Sequence, residues 1–265
     1  MKIKFTITML LFVSLVLSVQ ARTEKGFVDL FNGANFDGWY LKLRNDNDSL
    51  AKKVFVAEDG MVHVFNDEFP AEYNLTKKNN YPTHGLFYTN DTYSKFILTF
   101  EYKWGSNVAN NFHQWQYDAG CYYHVVDDKI WPVGIEYQVR YNHIKNENHS
   151  GDFWTRPLTW TATPDSSRYL SPEKGGKAIE KRGELLAATP KKHHALNGKW
   201  NKCTVIVMGN EYSIHKLNGE VINMATNLPF SEGKIGFQSE TAEIFYRNIK
   251  IKEFEKTVPI EEFIK

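Results

Sequence analysis

The chain has 265 residues, with 32 basic and 31 acidic side chains and a formal net charge of +1. That balance gives no electrostatic basis for binding nucleic acid or an anionic membrane surface. Aromatic content is high at 15%, with 7 Trp and 14 Tyr, residues that favour strands and stack on the apolar faces of sugars.

The chain opens MKIKFTITMLLFVSLVLSVQA. Two lysines, an apolar run and a small-residue end read as a secretory signal peptide over residues 1–21, cleaved after Ala21. The apolar run falls short of the ~20 residues of a membrane-spanning helix, and no nearby cysteine offers a lipid attachment. Residues 22–265 are expected to form one domain, periplasmic or secreted, without a membrane anchor. Loss of Lys2 and Lys4 takes the net charge from +1 to −1.

Short alternating or apolar runs follow in order: KVFVAEDGMVHVF, HGLFYT, KFILTFEYKW, GCYYHVV, VGIEYQVRY, KCTVIVMG, EYSIHKLNGEVINMA, GKIGFQSE and EIFYRNIKIKEF. Asp59-Gly60, Asn218-Gly219 and Glu232-Gly233 separate several of them, and Asn-Gly and Asp-Gly are strong hairpin signals. Many short strands with turn punctuation predict an all-β antiparallel sandwich or jelly roll. The polar stretch at about 155–199, rich in Pro, Gly and Lys, reads as a loop insertion wrapping one rim, with at most two helical turns around Pro172 to Leu186. Cys121 and Cys203 sit in strand-like runs and are expected as buried free thiols. No CxxC or HExxH occurs, so neither a metal nor a cofactor is predicted.

Side chains on a strand alternate between faces. In VGIEYQVRY one face carries Val133, Ile135, Tyr137, Val139 and Tyr141, and the other Gly134, Glu136, Gln138 and Arg140. KFILTFEYKW sends Phe96, Leu98, Phe100 and Tyr102 to the core and Glu101 and Lys103 outward. His124 is expected to share a face with Gly120 and Tyr122. Ile235 and Phe237 face inward, which leaves Gly236, Gln238 and Glu240 outward. An antiparallel sheet ordinarily has one wet face. Here that face mixes Gln, Glu and His with glycines that allow a ligand close approach, which favours a ligand groove. Asp152 and Trp154 follow just after, a carboxylate beside a ring suited to a sugar. Trp131 and Asn201 (next to Trp200) are further binding candidates, and His215 a weaker one.

Several stretches together resemble the bacterial 3-keto-disaccharide hydrolase family. They are VDLFNGANFDGW (Val28 to Trp39), YHVVDDKIWPVGIEYQVR (Tyr123 to Arg140), Gly151-Asp152-Phe153-Trp154, Lys199-Trp200-Asn201, Lys216-Leu217-Asn218-Gly219 and GKIGFQSETAEIFYRNIKI (Gly233 to Ile251). Asp118-Ala119-Gly120 departs from the Asn-Ser-Gly often found in the family. The resemblance implies a concanavalin-A-like jelly roll of two antiparallel sheets. It also implies exported enzymes acting on glycosides whose C3 hydroxyl has been oxidised to a ketone, a saccharide substrate supplied by a separate oxidoreductase. The ketone acidifies the C2 proton, so a base can form the enolate, the C1 substituent can leave, and water can add back. In that chemistry Glu136 or His124 would be the base and Arg140, Lys103 or Gln138 the enolate donor. Asp152 or Glu240 would be the acid or hold sugar hydroxyls, with Glu101, Gln238, Trp131, Trp154 and Asn201 binding substrate.

Three other readings stay open on the sequence. A lectin-like carbohydrate-binding module would carry the same groove without a base and an acid. A classical glycosidase needs two carboxylates, ~5–5.5 Å apart for retention, and GIEYQVRYN supplies one acid. A structural or adhesion domain would not need so dense a polar face.

Overall fold

The alternation read in the sequence builds two sheet layers whose apolar faces meet. The computed structural model describes residues 25–44, 46–69, 82–110, 112–190 and 192–264, so the expected signal peptide lies outside the described residues. In chain order the elements are β1 (Val28–Asp29), β2 (Trp39–Leu43), α1 (Asp48–Val54), β3 (Phe55–Glu58), β4 (Met61–Val64), β5 (Gly85–Thr89), β6 (Lys95–Val108), β7 (Tyr117–Val125) and β8 (Ile135–Asn142). They continue with β9 (Glu147–Asn148), β10 (Phe153–Ala162), β11 (Lys177–Leu185), β12 (Asn201–Met208), β13 (Tyr212–Leu217), β14 (Glu220–Thr226), β15 (Lys234–Ser239), β16 (Ala242–Glu253) and α2 (Glu261–Ile264).

Neighbouring strands run β2-β5-β15-β7-β8-β10-β14-β13-β12-β6-β16-β4-β3. Pairing is antiparallel throughout, as a jelly roll requires. β10 joins the two layers. Its first residues, Phe153 and Trp154, pair with Tyr137 and Glu136 of β8, while Thr159 and Trp160 pair with Thr226 and Ala225 of β14. The change of layer coincides with a bulge between Thr155 and Leu158 that contains Pro157, which has no N–H to give a ladder.

The core between the layers is aromatic. The ring of Phe100 on β6 meets Phe237 of β15 at 5.0 Å and Tyr137 of β8 at 5.7 Å, and Tyr246 of β16 meets Phe237 at 5.2 Å. All four are fully buried, as the sequence alternation predicts for Phe100, Tyr137 and Phe237. Cys121 and Cys203 are free and buried.

Three features differ from the sequence expectation. The stretch at about 155–199 is not a loop in its first part: most of β10 and all of β11 lie in it, paired from Phe153↔Leu185 to Ala162↔Lys177. β11 buries only Leu185, so backbone pairing at a sheet edge holds it, and no apolar alternation marks it as a strand. The helical turns expected near Pro172 reduce to a 3-10 turn at Pro172–Lys174. The short helix α1 was not foreseen. Asn47 caps it by accepting from Leu50 N, and it buries Leu50, Ala51 and Val54.

Phe237 stacks between layers, so Phe237→Ala is expected to remove about 3–5 kcal/mol of stability through lost burial and an unfilled cavity. Urea unfolding of the two proteins measures this; a loss below about 1 kcal/mol would mean that the layers do not meet at this ring.

Candidate functional site

The outward side of β8 is not solvated. Glu136, Gln138 and Arg140 are 3%, 4% and 8% exposed, and they form the floor of a cavity of about 720 Å³. β7 lies beside them with Asp118 opposite Arg140, Gly120 opposite Gln138 and Tyr122 opposite Glu136. On the far side of β7, Gly236 of β15 stands opposite Tyr122, and Gln238 and Glu240 continue that side of the floor. Gly120 is a packing necessity. A Cβ there would fall 2.0 Å from Glu136 Oε1 and 2.7 Å from Gln238 Oε1, so only glycine lets the two side chains reach across β7.

Among the described residues, Arg140 is the one cation set into this floor. Its guanidinium lies 3.8 Å from Asp118, contacts Glu184 of β11 and stacks 4.2 Å over the ring of Trp115. Gln138 Nε2 donates to Asp118 Oδ1 at 2.5 Å and to the Ala119 carbonyl at 3.2 Å. Gln238 Oε1 is buried without a partner among the described residues. Burial pushes the Asp118 carboxyl up to about 7 against the pull of Arg140 and Gln138. Burial, reinforced by the nearby Asp118 charge, lifts Glu136 to about 8, with a hydrogen bond from Tyr122 opposing. Burial and the same two carboxylates hold Glu240 well above the ordinary range. Burial raises the Tyr122 phenol too, which keeps it a neutral donor. Three interacting carboxyls, all raised from the ordinary range, form an acid and base reservoir.

The walls are aromatic and basic. Trp131 and Trp154, 46% and 50% exposed, flank the floor, and the Arg44 guanidinium packs 4.9 Å from the Trp131 ring. Arg156, two residues beyond Trp154, and Arg182 of β11 line the cavity from the β10–β11 pairing.

Thus Glu136, Gln138, Arg140, Gln238, Glu240, Trp131 and Trp154 come together, and the other sequence candidates do not. His124 turns away from the cavity. Its φ of 49° breaks the β7 alternation, and its ring nitrogens lie 3.0 Å from the Phe230 and Ser94 carbonyls, against the core ring of Phe96. Burial lowers it to about 4. Asp152 is spent on the fold: Oδ1 accepts from Ala187 N at 2.6 Å and Oδ2 contacts His149 Nδ1 at 2.9 Å. Glu101 and Lys103 sit on β6, in the opposite layer. There Glu101 accepts from Arg247 at 2.7 Å and Lys103 lies over Phe245 and Trp200. Asn201 braces a loop, accepting from His194 N and donating to its carbonyl. His215 is a core residue between Tyr123 and Gly151 O.

Sequence reasoning missed Asp118, Tyr122, Arg156 and Arg182 as site residues. The first two share the i, i+2 face of Gly120, a signal present in the sequence. Arg156 shares the face of Trp154, yet Arg182 lies on a strand that the sequence does not announce. His149, Asp152 and Glu184 have ligand atoms within 4.8 Å of one another. The Arg140 guanidinium contacts Glu184, so a cation of the protein already neutralises that carboxylate.

Residues 26–252 match the family described as 3-keto-alpha-glucoside-1,2-lyase-like domain. Two crystal structures of provisionally assigned glycosyl hydrolases from Parabacteroides distasonis ATCC 8503 share the fold. One is 23% identical, covers 87% of this chain and 94% of its own, and has a TM-score of 0.51. The other is 18% identical, covers 86% and 99%, and has a TM-score of 0.50. Comparison with curated proteins gives no match.

Glu136 binds its proton more tightly in the folded chain than in the unfolded one. Its contribution to stability is therefore whole below the ordinary carboxylate range and is lost as pH rises through about 8. Asp118 acts in the same direction up to about 7. Urea unfolding at pH 5, 6, 7 and 8 should show stability falling with pH, and Glu136→Gln should flatten the fall. A slope unchanged by the substitution would mean that Glu136 is ionised throughout.

Proposed function

This chain belongs to the 3-keto-alpha-glucoside-1,2-lyase-like family, and on that premise we propose that its cavity cleaves 3-keto-glycosides by elimination. The observation that carries the reading is a buried carboxyl, Glu136, held near pH 8 at the floor of a sugar-sized cavity between two exposed tryptophans.

Glu136, as carboxylate, takes the C2 proton that the adjacent ketone has acidified. A base whose pKa lies near the working pH combines a usable ionised fraction with real basicity, worth about 10²–10⁴-fold. Tyr122, a neutral phenol hydrogen-bonded to Glu136, turns its single O–H from Glu136 to the enolate oxygen as Glu136 takes the C2 proton and charge develops on that oxygen. The C1–O bond then breaks, C1=C2 forms, and the departing oxygen takes a proton from Glu240, whose raised pKa keeps it protonated. Water adding across C1=C2 restores a 3-keto sugar and completes net hydrolysis. The tryptophans hold the sugar faces and exclude water. The keto substrate requires a separate oxidoreductase acting on a sugar alcohol, and the signal-like N-terminus fits an exported enzyme.

A purely lectin-like module gains nothing from such a floor. Holding one buried and two partly buried carboxyls in competition for protons opposes folding, and sugar hydroxyls can be bound with neutral amides and exposed carboxylates. Turnover of protons is what rewards the arrangement.

An aryl glucoside and its 3-keto derivative, incubated with the protein while aglycone release is followed, test this. Release from the keto compound alone is expected, reduced about 10²–10⁴-fold in Glu136→Gln and retained in His124→Ala once folding is verified. The kcat/KM profile should rise along a limb well above the ordinary carboxylate range. Release from the unoxidised glucoside would point to ordinary glycosidase chemistry, and a limb near pH 4 would remove Glu136 as the base.

A further inference from the structure

Six arginines lie among the described residues, and four have partners. Arg44 packs on Trp131, Arg140 contacts Asp118 and Glu184, Arg168 donates to the Ala187 carbonyl at 2.7 Å, and Arg247 donates to Glu101. Arg156 and Arg182 have no carboxylate or hydrogen-bond partner among the described residues, and both line the cavity. They also face each other. β10 and β11 pair Thr155 with Gly183 and Leu158 with Lys181, so Arg156 and Pro157 oppose Arg182 alone in the bulge. A bulge re-aims side chains that regular pairing would send elsewhere. Gly183, at φ 83°, supplies backbone freedom on the β11 side.

Two like charges held side by side repel unless an anion lies between them. The carboxyl floor cannot be that anion. Its own cation is Arg140, and its other members, Glu136 and Glu240, hold protons through burial. Of the two carboxylates two residues from Arg182 along β11, Glu184 is already in contact with Arg140, and Glu180 lies opposite Thr159 beyond the bulge without an ion pair to Arg182. The cavity is therefore divided by charge, with protonated carboxyls beneath and the guanidiniums of Arg156 and Arg182 on the β10–β11 wall.

We propose that Arg156 and Arg182 clamp an anionic substituent, a carboxylate or a sulfate ester, on the sugar next to the oxidised ring. This rests on the proposed elimination reaction, in which the oxidised ring lies over Glu136 and the departing sugar extends towards the β10–β11 wall. Guanidinium is the group suited to such oxyanions because its planar fork donates two parallel hydrogen bonds. The substrate class is thus an acidic 3-keto-disaccharide whose leaving sugar is a uronic acid or a sulfated hexose.

The test uses the full chain and three matched ligands, methyl glucoside, methyl glucuronoside and methyl glucoside 6-sulfate, titrated by calorimetry, beside turnover of 3-keto-glucosyl derivatives of the same three. The wild-type protein is expected to prefer at least one anionic ligand by about tenfold or more, with the preference shrinking as salt rises. In the double variant Arg156→Gln/Arg182→Gln, the anionic-to-neutral ratio should fall to near one, and Arg182→Lys should keep part of it. Which anion wins distinguishes uronate from sulfate. No preference in the wild type, or a preference that survives in the folded double variant, overturns the clamp. The binding arm needs no ketone. A wild-type preference that vanishes in the variant while no keto substrate turns over would sink the elimination reaction and leave the anion clamp standing.

Discussion

One buried guanidinium stands among more carboxyls than it can neutralise, and the character of the cavity follows from that shortage. Arg140 meets Asp118 and Glu184 directly, and it is stacked on Trp115 so that it cannot swing to serve others. Glu136 and Glu240 are left in the same low-dielectric floor without a cation of their own. A buried carboxylate without a partner is too costly to keep, so protons supply the missing positive charge. The raised positions of Asp118, Glu136 and Glu240 express one deficit distributed over three groups. A second cation in the floor would have made the carboxyls ordinary anions and removed the proton traffic on which the proposed elimination depends.

The strand geometry explains why the deficit is stable. The apolar side of β8 is locked against Phe100 and the back layer, so the strand cannot rotate to wet its polar side. Gly120 opens the space into which Glu136 and Gln238 both reach. The β10 bulge then serves two ends at once. It lets the strand pass from one layer to the other at Pro157, and it sets Trp154 and Arg156 along the cavity wall. Closure of the sandwich and lining of the cavity are thus the same local distortion of one strand.

This division accounts for what could be read from residues alone. Period-two alternation exposed the floor in β8 and β15, because regular strands with one apolar face leave the other face unambiguous. The same rule failed at His124, where a positive φ turns one residue out of register with its neighbours. It grouped Glu101 and Lys103 with the floor because alternation says which face a residue takes but not which layer its strand joins; β6 pairs with β12 and β16, far from β8 along the sheet path. Asp152 read as a catalytic carboxylate from Trp154 two residues on, yet it lies in the turn before β10, outside the strand alternation, and its oxygens hold Ala187 and His149 instead. β11 stayed hidden because an edge strand held by its backbone needs no apolar side chains.

The proposed chemistry makes modest demands on such a scaffold. Direct glycoside cleavage must stabilise an oxocarbenium-like centre and position two carboxylates about a water molecule. An elimination next to a ketone has its electron sink in the substrate, so the protein needs only a tuned base, a neutral donor and a proton source. Glu136, Tyr122 and Glu240 lie on or just past three neighbouring strands, β8, β7 and β15, and no loop has to close to bring them together. The exposed hairpin is then free to vary towards different leaving sugars without disturbing the floor. Arg156 and Arg182 illustrate that separation: they share the cavity with the carboxyl cluster while being built on the β10–β11 pairing, whose distortion leaves the β7–β8 register regular from Tyr117 to Tyr123.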